Sequence, residues 1–303
     1  MRNIKSNLNV LLAILLGSVL SLSVNAEDQN DRWSMLCENG DVSYCNLVGR
    51  KYVATGDYQK AITVYQSACS HNSGEGCSWL GTLYMNGQGT RKSIRKANEL
   101  YIKSCEMQYG QGCLKLAQLY EENYEFEQYR SRAPEFYSKG CSFGNAESCM
   151  NLGALYSEGI SVEIDRNRAV KYFDQACSNK NGLGCLHAGE MYSEDYDKFR
   201  HDYKKAIDSY HKACELAVAP GCTALGLMYE EGKGDDADAE LAASYYKIAC
   251  NLNDAEGCLY IAEATDKGLG VKKDPDQAIE FYKTACNLGQ IKACHSSMQT
   301  VKN

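Results

Sequence analysis

Proline is nearly absent, with three residues in a chain of 303. So few helix breakers, alongside abundant Ala, Leu, Tyr and Lys, point to an all-helical chain. An excess of positive charge is also missing. The 32 Lys and Arg stand against 39 Asp and Glu, a net charge of −7, which argues against a general nucleic-acid binder. No apolar run reaches the roughly 20 residues that a membrane-spanning helix needs. The nearest approach, Val10 to Leu22, follows Arg2 and Lys5 and precedes Val24-Asn25-Ala26, with small residues at the −3 and −1 places of a cleavage site. A signal peptide over residues 1–26 is therefore expected, with no stable membrane span after its removal. The mature chain, residues 27–303, would keep 30 basic against 39 acidic residues. No Cys follows the apolar run before Cys37, so a lipid anchor at the cleavage site is not expected.

The usual marks of metal and redox chemistry are missing too. Zinc sites favour Cys pairs spaced two to four residues apart, often with His. Here C-x-x-C and H-E-x-x-H are both absent. The five histidines, His71, His187, His201, His211 and His295, share no repeated phase and give no support to a Ser-His-Asp arrangement. No metal and no cofactor are expected.

Cysteine, by contrast, is abundant and ordered. Sixteen residues form eight pairs: Cys37/Cys45, Cys69/Cys77, Cys105/Cys113, Cys141/Cys149, Cys177/Cys185, Cys214/Cys222, Cys250/Cys258 and Cys286/Cys294. Every pair is spaced i, i+8, and the first members step by 32, 36, 36, 36, 37, 36 and 36 residues. In an exported chain such a set is a disulfide framework, which places the protein in the periplasm or outside the cell. Pairing within each i, i+8 pair is the simplest of the many possible connectivities. It would staple each repeat to its successor across the interface that holds a repeat protein together.

Other positions keep the same phase. Eight residues before each pair, from the second onward, stands Ala61, Ala97, Ala133, Ala169, Ala206, Ala242 or Ala278, and four before it an aromatic, Tyr65, Tyr101, Tyr137, Phe173, Tyr210, Tyr246 or Tyr282. Four after the second Cys is a small residue, Gly49, Gly81, Ala117, Gly153, Gly189, Gly226 or Ala262. Seven after it is Tyr52, Tyr84, Tyr120, Tyr156, Tyr192 or Tyr229, with Thr265 as the exception. Spacings of 3, 4, 7 and 8 are helix-face spacings. Each unit then holds two helices: an A helix from about the second Cys through the Tyr, and a B helix through the Ala and the aromatic to the next Cys. The small residue and the Ala are expected to let two helix backbones approach, with the aromatics filling the groove beside them. Loops such as Gly87-Gln88-Gly89, Gly159, Gly232-Lys233-Gly234 and Gly268-Leu269-Gly270 lie between. Asp274-Pro275 reads as a helix cap followed by proline at the first helical position. The units are bounded at about 37–68, 69–104, 105–140, 141–176, 177–213, 214–249 and 250–285, with a capping helix over 286–303, in one repeat domain.

Stretches such as Cys149-Met-Asn-Leu-Gly-Ala-Leu-Tyr156, Ala169-Val-Lys-Tyr-Phe-Asp-Gln-Ala-Cys177 and Cys222-Thr-Ala-Leu-Gly-Leu-Met-Tyr229 resemble Sel-type repeats of the tetratricopeptide superfamily. They are most similar to its exported, cysteine-rich Hcp-like branch, over roughly residues 33–298. The resemblance implies a right-handed α/α superhelical solenoid of about seven helix pairs with one disulfide per repeat. It also implies partner binding and, from a name that some members carry, β-lactamase or penicillin-binding activity. Three units depart from the pattern. The first has a shorter loop, Gly56-Asp57. The third lacks a loop glycine over Glu121–Tyr129 and carries Pro134 within its B helix, which should kink that helix or delay its start. The fifth has Asp195–Arg200 in place of a glycine turn.

Serine β-lactamases need S-x-x-K with S-D-N and K-T-G elements. Ser93-Ile94-Arg95-Lys96 matches the first, S-D-N is absent, and Lys283-Thr284-Ala285 lacks the glycine of the third. Ser93 and Lys96 are thus the one catalytic candidate pair, at a place where Ser93 also suits a helix cap. A groove-lining set follows from the A-helix phase: Arg50, Glu75, Gln118, Glu121, Glu147, Glu190, Glu230, Glu256 and Glu263. Carboxylates dominate it. The expected function is an extracytoplasmic scaffold that binds a protein or peptide, preferably basic, on its concave face. The alternative is a binder or weak hydrolase of β-lactams or cell-wall (peptidoglycan) fragments.

Overall fold

The computed structural model of the protein describes residue 33 and residues 35–37, 41–122, 124–195 and 201–300. The expected signal peptide and most of the Asp195–Arg200 loop lie outside these residues. The chain divides into two compact units on either side of the Leu100–Tyr101 bond, and each is taken by itself.

The first holds α1 (Val42–Thr55), α2 (Tyr58–Ser70) and α3 (Gly74–Asn86), with the start of α4 (Ile94–Glu106). The second holds the rest of α4 and then α5 (Gly110–Glu122), α6 (Ala133–Ser142), α7 (Ala146–Glu158), α8 (Arg166–Ser178), α9 (Gly182–Ser193), α10 (Tyr203–Glu215), α11 (Ala219–Glu231), α12 (Ala239–Asn251), α13 (Ala255–Lys267), α14 (Pro275–Asn287) and α15 (Ile291–Thr300). Odd-numbered helices are A helices and even-numbered ones B helices. Within each unit a helix packs chiefly on its neighbours in sequence, and successive A helices also touch.

The start and stop signals act as the sequence suggests. Gly87, Gly159, Gly232 and Gly268 close A helices in the left-handed conformation, at φ between 65 and 77°. Asp274 accepts a hydrogen bond from the Gln277 amide at 3.0 Å, with Pro275 in the first turn of α14. In the atypical third repeat a 3-10 stretch, Tyr124–Arg132, replaces the glycine loop, and α6 begins only at Ala133 with Pro134 in its first turn. Proline there delays the helix rather than kinking it, because its missing N–H falls where no intrahelical bond is needed.

All eight i, i+8 cysteine pairs are disulfides, with Cα–Cα separations from 4.3 Å at Cys250–Cys258 to 4.8 Å at Cys286–Cys294. From the second bridge onward, each joins the last turn of a B helix to the first turn of the next A helix. The turn inside each of these bridges contains one left-handed residue, three after the first Cys: Asn72, Gln108, Gly144, Lys180, Ala217, Asn253 and Gly289. Only two of the seven are glycine, so side-chain identity does not advertise this turn. The next residue caps the following helix where it is Ser73, Asn145, Asn181 or Asp254.

The A-helix cysteines are core residues, except the half-buried Cys294 of α15. Cys45, bonded to Cys37, is 1% exposed; Cys77, bonded to Cys69, and Cys113, bonded to Cys105, are 0% exposed. Cys45, Cys77 and Cys113 are thus bridged as their i, i+8 spacing led one to expect, with their sulfurs sealed in the core. The physical reason is their place in the first turn of an A helix, on the side that packs against the bridged segment before it. Their spacing showed that they pair, but it could not show that the sulfurs are sealed from solvent. The bridges are thus packed structural links, and a reductant reaches these sulfurs only when the helices part.

The small residue of the A helix makes room for something other than a helix backbone. A Cβ at Gly49 would lie 2.4 Å from the Tyr65 ring, at Gly153 2.7 Å from Phe173, at Gly189 2.5 Å from Tyr210 and at Gly226 2.5 Å from Tyr246. In these four repeats the aromatic of the B helix therefore lies directly on this position. The tight backbone approach is at the disulfide instead. There Gly76, Gly184, Gly221 and Gly257, each just before the second Cys, meet Ala68, Ala176, Ala213 and Ala249, each just before the first. At the fourth bridge the roles are exchanged, with Gly140 facing Ser148.

Candidate functional site

The A-helix residues singled out from the sequence fall into three structural situations. Some bridge successive A helices. Arg50 of α1 lies 3.4 Å from Glu75 of α3, and Asn46 donates to Ser73 and to Glu75 at 3.0 and 3.2 Å. In the second unit Gln118 of α5 donates to Glu147 of α7 at 3.2 Å, and Asn145 donates to Gln111 at 2.9 Å. Thr223 donates to Asp254 at 2.6 Å in the same way. These polar rungs tie the first turn of one A helix to the middle or start of another. They leave Arg50, Glu147 and Gln118 partly or fully exposed.

A second group accepts hydrogen bonds from B-helix tyrosines. Tyr137 donates to Glu121 and Tyr246 to Glu230, both at 2.5 Å. In the opposite sense Tyr192 of the A helix α9 donates to Asp174 of the B helix α8 at 2.7 Å, and Ser193 and Tyr210 share a contact of 3.2 Å. Burial, then the hydrogen-bonded carboxylate, pushes Tyr137, Tyr192 and Tyr246 well above the usual phenol range. Burial, with Glu263 and Asp266 nearby, pushes Tyr282 up to about 12. All four phenols stay neutral at physiological pH, so Tyr137, Tyr192 and Tyr246 remain hydrogen-bond donors.

The third group is separate and exposed. Glu190 lies 2.8 Å from His187 on the same helix, and Glu256 occupies the first turn of α13 near Tyr260. Glu263 pairs with Lys267 at 3.4 Å. Glu230 and Glu263 nevertheless line one cavity of about 210 Å³.

The catalytic candidates sit at the start of α4. The Ser93 hydroxyl accepts the backbone N–H of Lys96 at 3.4 Å, which is an N-cap. The Lys96 ammonium lies over the Tyr84 ring, 4.9 Å from its centre.

That lysine belongs to a recurring clasp that sequence reading overlooked. The residue just before the phased alanine is Lys60, Lys96, Arg132, Arg168 or Lys205 in the first five repeats, then Leu241 and Gln277. Lys60 covers Tyr52 at 5.5 Å, Arg168 covers Tyr156 at 5.4 Å and Lys205 covers Tyr192 at 5.1 Å. Arg132 turns onto Phe136 at 5.1 Å. The contacts of Lys60, Lys96, Arg168 and Lys205 each close an A–B hairpin at its loop end, whereas that of Arg132 stays at the start of its own B helix. The basic phase was visible in the sequence, one place before the phased alanine of five repeats. In the sixth repeat, where the cation is gone, Tyr229 stacks on Tyr245 at 5.8 Å with an interplanar angle of 6°.

Among the described residues no helix is long and apolar enough to cross a membrane, and no group of three or more His, Cys, Asp or Glu could hold a metal ion.

Tandem two-helix units, each bridged to the next, define a helical-repeat scaffold. Residues 36–73, 74–109, 146–181, 182–218, 219–254 and 255–290 match the Sel1 repeat, and the chain belongs to the Sel1 repeat family. Each match from residue 74 onward opens at the first turn of an A helix and closes after the B helix. The unmatched stretch 110–145 is the repeat with the 3-10 segment and Pro134. Over 81 residues the chain is 38% identical to HcpE of Helicobacter pylori, a protein whose name carries a beta-lactamase label; the alignment takes in 27% of this chain and 20% of HcpE. The chain thus matches about a fifth of that relative's length. A protective antigen of uropathogenic Escherichia coli with an SLR fold superposes with a TM-score of 0.71 at 22% identity, over 90% of this chain and 59% of the antigen. A Sel1 repeat protein from Oxalobacter formigenes gives 0.62 at 21% identity, over 80% of this chain and 96% of that one. These likenesses show the all-α Sel1 solenoid fold.

Proposed function

We propose that the protein is an extracytoplasmic scaffold that binds a basic protein or peptide along its A-helix face. The observation that carries this reading is the set of carboxylates on the successive A helices α7, α9, α11 and α13 of the second unit, Glu147, Glu190, Glu230, Glu256 and Glu263, mounted on helices that disulfides tie to their neighbours. A surface ordered before binding loses little conformational entropy on association. A field of one sign speeds encounter and selects partners of opposite sign more than it adds affinity. The leader-like start, the eight disulfides and the likeness to Hcp proteins support export to the periplasm or beyond.

Titration of the oxidised protein with extended Lys- and Arg-rich peptides, and with acidic peptides of equal length, tests this. Binding of the basic set alone is expected, weakening as ionic strength rises. No binding of the basic set at low salt would remove the reading.

The name of HcpE favours a second reading, in which β-lactams or cell-wall fragments are bound or slowly hydrolysed. It requires turnover of a chromogenic β-lactam that is lost in Ser93→Ala. The scaffold reading expects no turnover in either protein, and only the loss of a helix cap in the variant, about 1 kcal/mol in a denaturant melt.

A further inference from the structure

Eleven residues before the first Cys stand Tyr58, Ile94, Arg130, Arg166, Tyr203, Ala239 and Pro275 in successive repeats, the first residue of the B helix in every repeat but the third, where Arg130 lies in the 3-10 stretch. Where this residue is tyrosine it fills space. Tyr58 packs against the core of the first unit and Tyr203 against a core of the second. The loop of the next repeat then settles over it. Gly89 and Gly234 approach so closely that a Cβ there would lie 2.6 Å from the Tyr58 side chain and 3.0 Å from that of Tyr203. Lys233, between two loop glycines, hangs over the Tyr203 ring at 6.0 Å. The sixth repeat keeps the loop approach but loses the filling. The Gly270 backbone rests directly on Ala239, alanine replaces tyrosine, and Leu269 replaces the overhanging lysine. The space left is the cavity of about 210 Å³ between α11, α12 and α13. Its floor is apolar, formed by the buried Ala242, Ala243 and Ala264 with exposed Ala239 and Leu269 at the rim, and Tyr246 and Tyr260 wall it with ring centres 5.0 Å apart. Its polar contribution is Glu230 and Glu263, together with Lys267.

We infer that this cavity receives a lysine or arginine side chain of a bound polypeptide, its alkyl stem on the alanine floor and its cationic head between Glu230 and Glu263. The inference rests on the scaffold reading and names the anchor point of its partner. An apolar floor with carboxylates suits a side chain that carries its charge at the end of a hydrocarbon stem. A neutral apolar side chain would leave the carboxylates unmatched, and an anionic one would be repelled. Glu230 spends one contact on Tyr246 and keeps further acceptor capacity. Glu263 pairs with the exposed Lys267, a contact weak enough for an incoming cation to displace. Lys267 thus occupies the position that the partner's cation takes over.

The test uses the oxidised full-length protein and a fluorescent extended peptide with lysines on a Ser/Gly frame, beside the same peptide with Gln in their place. Ala239→Tyr restores the residue that other repeats carry, so it should fold, and a circular dichroism melt checks that it does. It is expected to weaken the lysine peptide by at least about tenfold. Glu263→Gln should weaken it severalfold, and Lys267→Gln should strengthen it severalfold. The Gln peptide should bind weakly to every form. If Ala239→Tyr and Lys267→Gln leave the affinity unchanged while Glu147→Gln on α7 reduces it, the cavity inference is overturned and the basic-partner scaffold stands. If the lysine peptide binds no better than the Gln peptide, both fall.

Discussion

Loss of the Cys177–Cys185 bridge, in a paired alanine variant, is expected to cost about 2.5 kcal/mol. Reduction of the whole set should abolish the helical fold at ~37 °C. Each bridge closes a loop of i, i+8 separation, short enough that the entropy it removes from the unfolded chain is modest. Its weight comes from where it lies. The helices are mostly thirteen residues long, near or below the length at which an isolated helix is stable in water. Each packs chiefly on its sequence neighbours, so the B-to-A interface is where one repeat transmits order to the next. Cutting one link should loosen α8 and α9 locally before the rest. Hydrogen exchange read by mass spectrometry would show this as early deuteration of residues 166–193. Uniform exchange across the second unit, or a reduced protein with unchanged circular dichroism, would contradict the role assigned to the bridges.

The second large effect is expected beside the same bridge. Gly184→Ala should destabilise the protein by about 2 kcal/mol, although helix propensity alone favours alanine. The new Cβ would stand 2.5 Å from that of Ala176, while the disulfide holds the two chains 4.5 Å apart at Cα. Neither helix can retreat without straining the bridge. Adding Ala176→Gly should recover most of the loss, because the molecule already uses that exchanged arrangement at Gly140 and Ser148. A double-mutant cycle in urea measures the coupling. Additive costs would show that the steric account is wrong.

The crossing also marks how far the sequence could be read. A glycine stands before the second Cys at Gly76, Gly112, Gly184, Gly221 and Gly257, in five of the eight pairs, a signal less regular than the phased alanine, which recurs at all seven of its places. What it could not reveal is the partner. Ser104 faces Gly112, and Ser148 faces Gly140, so either side of the contact supplies the missing Cβ. The small A-helix residue was legible as a contact position, yet the object it accommodates is the ring of Tyr65, Phe173, Tyr210 or Tyr246. Periodicity reports that a position is constrained and not which atom constrains it. The binding face was less legible still. Glu121 and Glu230 have the same phase as Glu263 and Glu190 within a helical turn, but two are hydrogen-bonded to tyrosines and two are paired on their own helices. Rotamers and neighbouring helices decide that, and one helix's spacing contains neither.

The linear chain by itself determined the helical class, the repeat length, the helix ends at glycine and aspartate, and which cysteines meet. Each follows from local backbone chemistry or from a rule printed many times over at a fixed interval. Only the tertiary structure decided that five non-glycine residues enter the left-handed region inside the bridged turns, and that sulfurs such as those of Cys45, Cys77 and Cys113 lie in the core. It alone showed that basic residues clasp the tyrosines of the preceding helix, and that Ala239 leaves a cavity where other repeats place a tyrosine. Those features depend on side chains from different helices sharing one volume, and shared volume comes into being only when the helices pack.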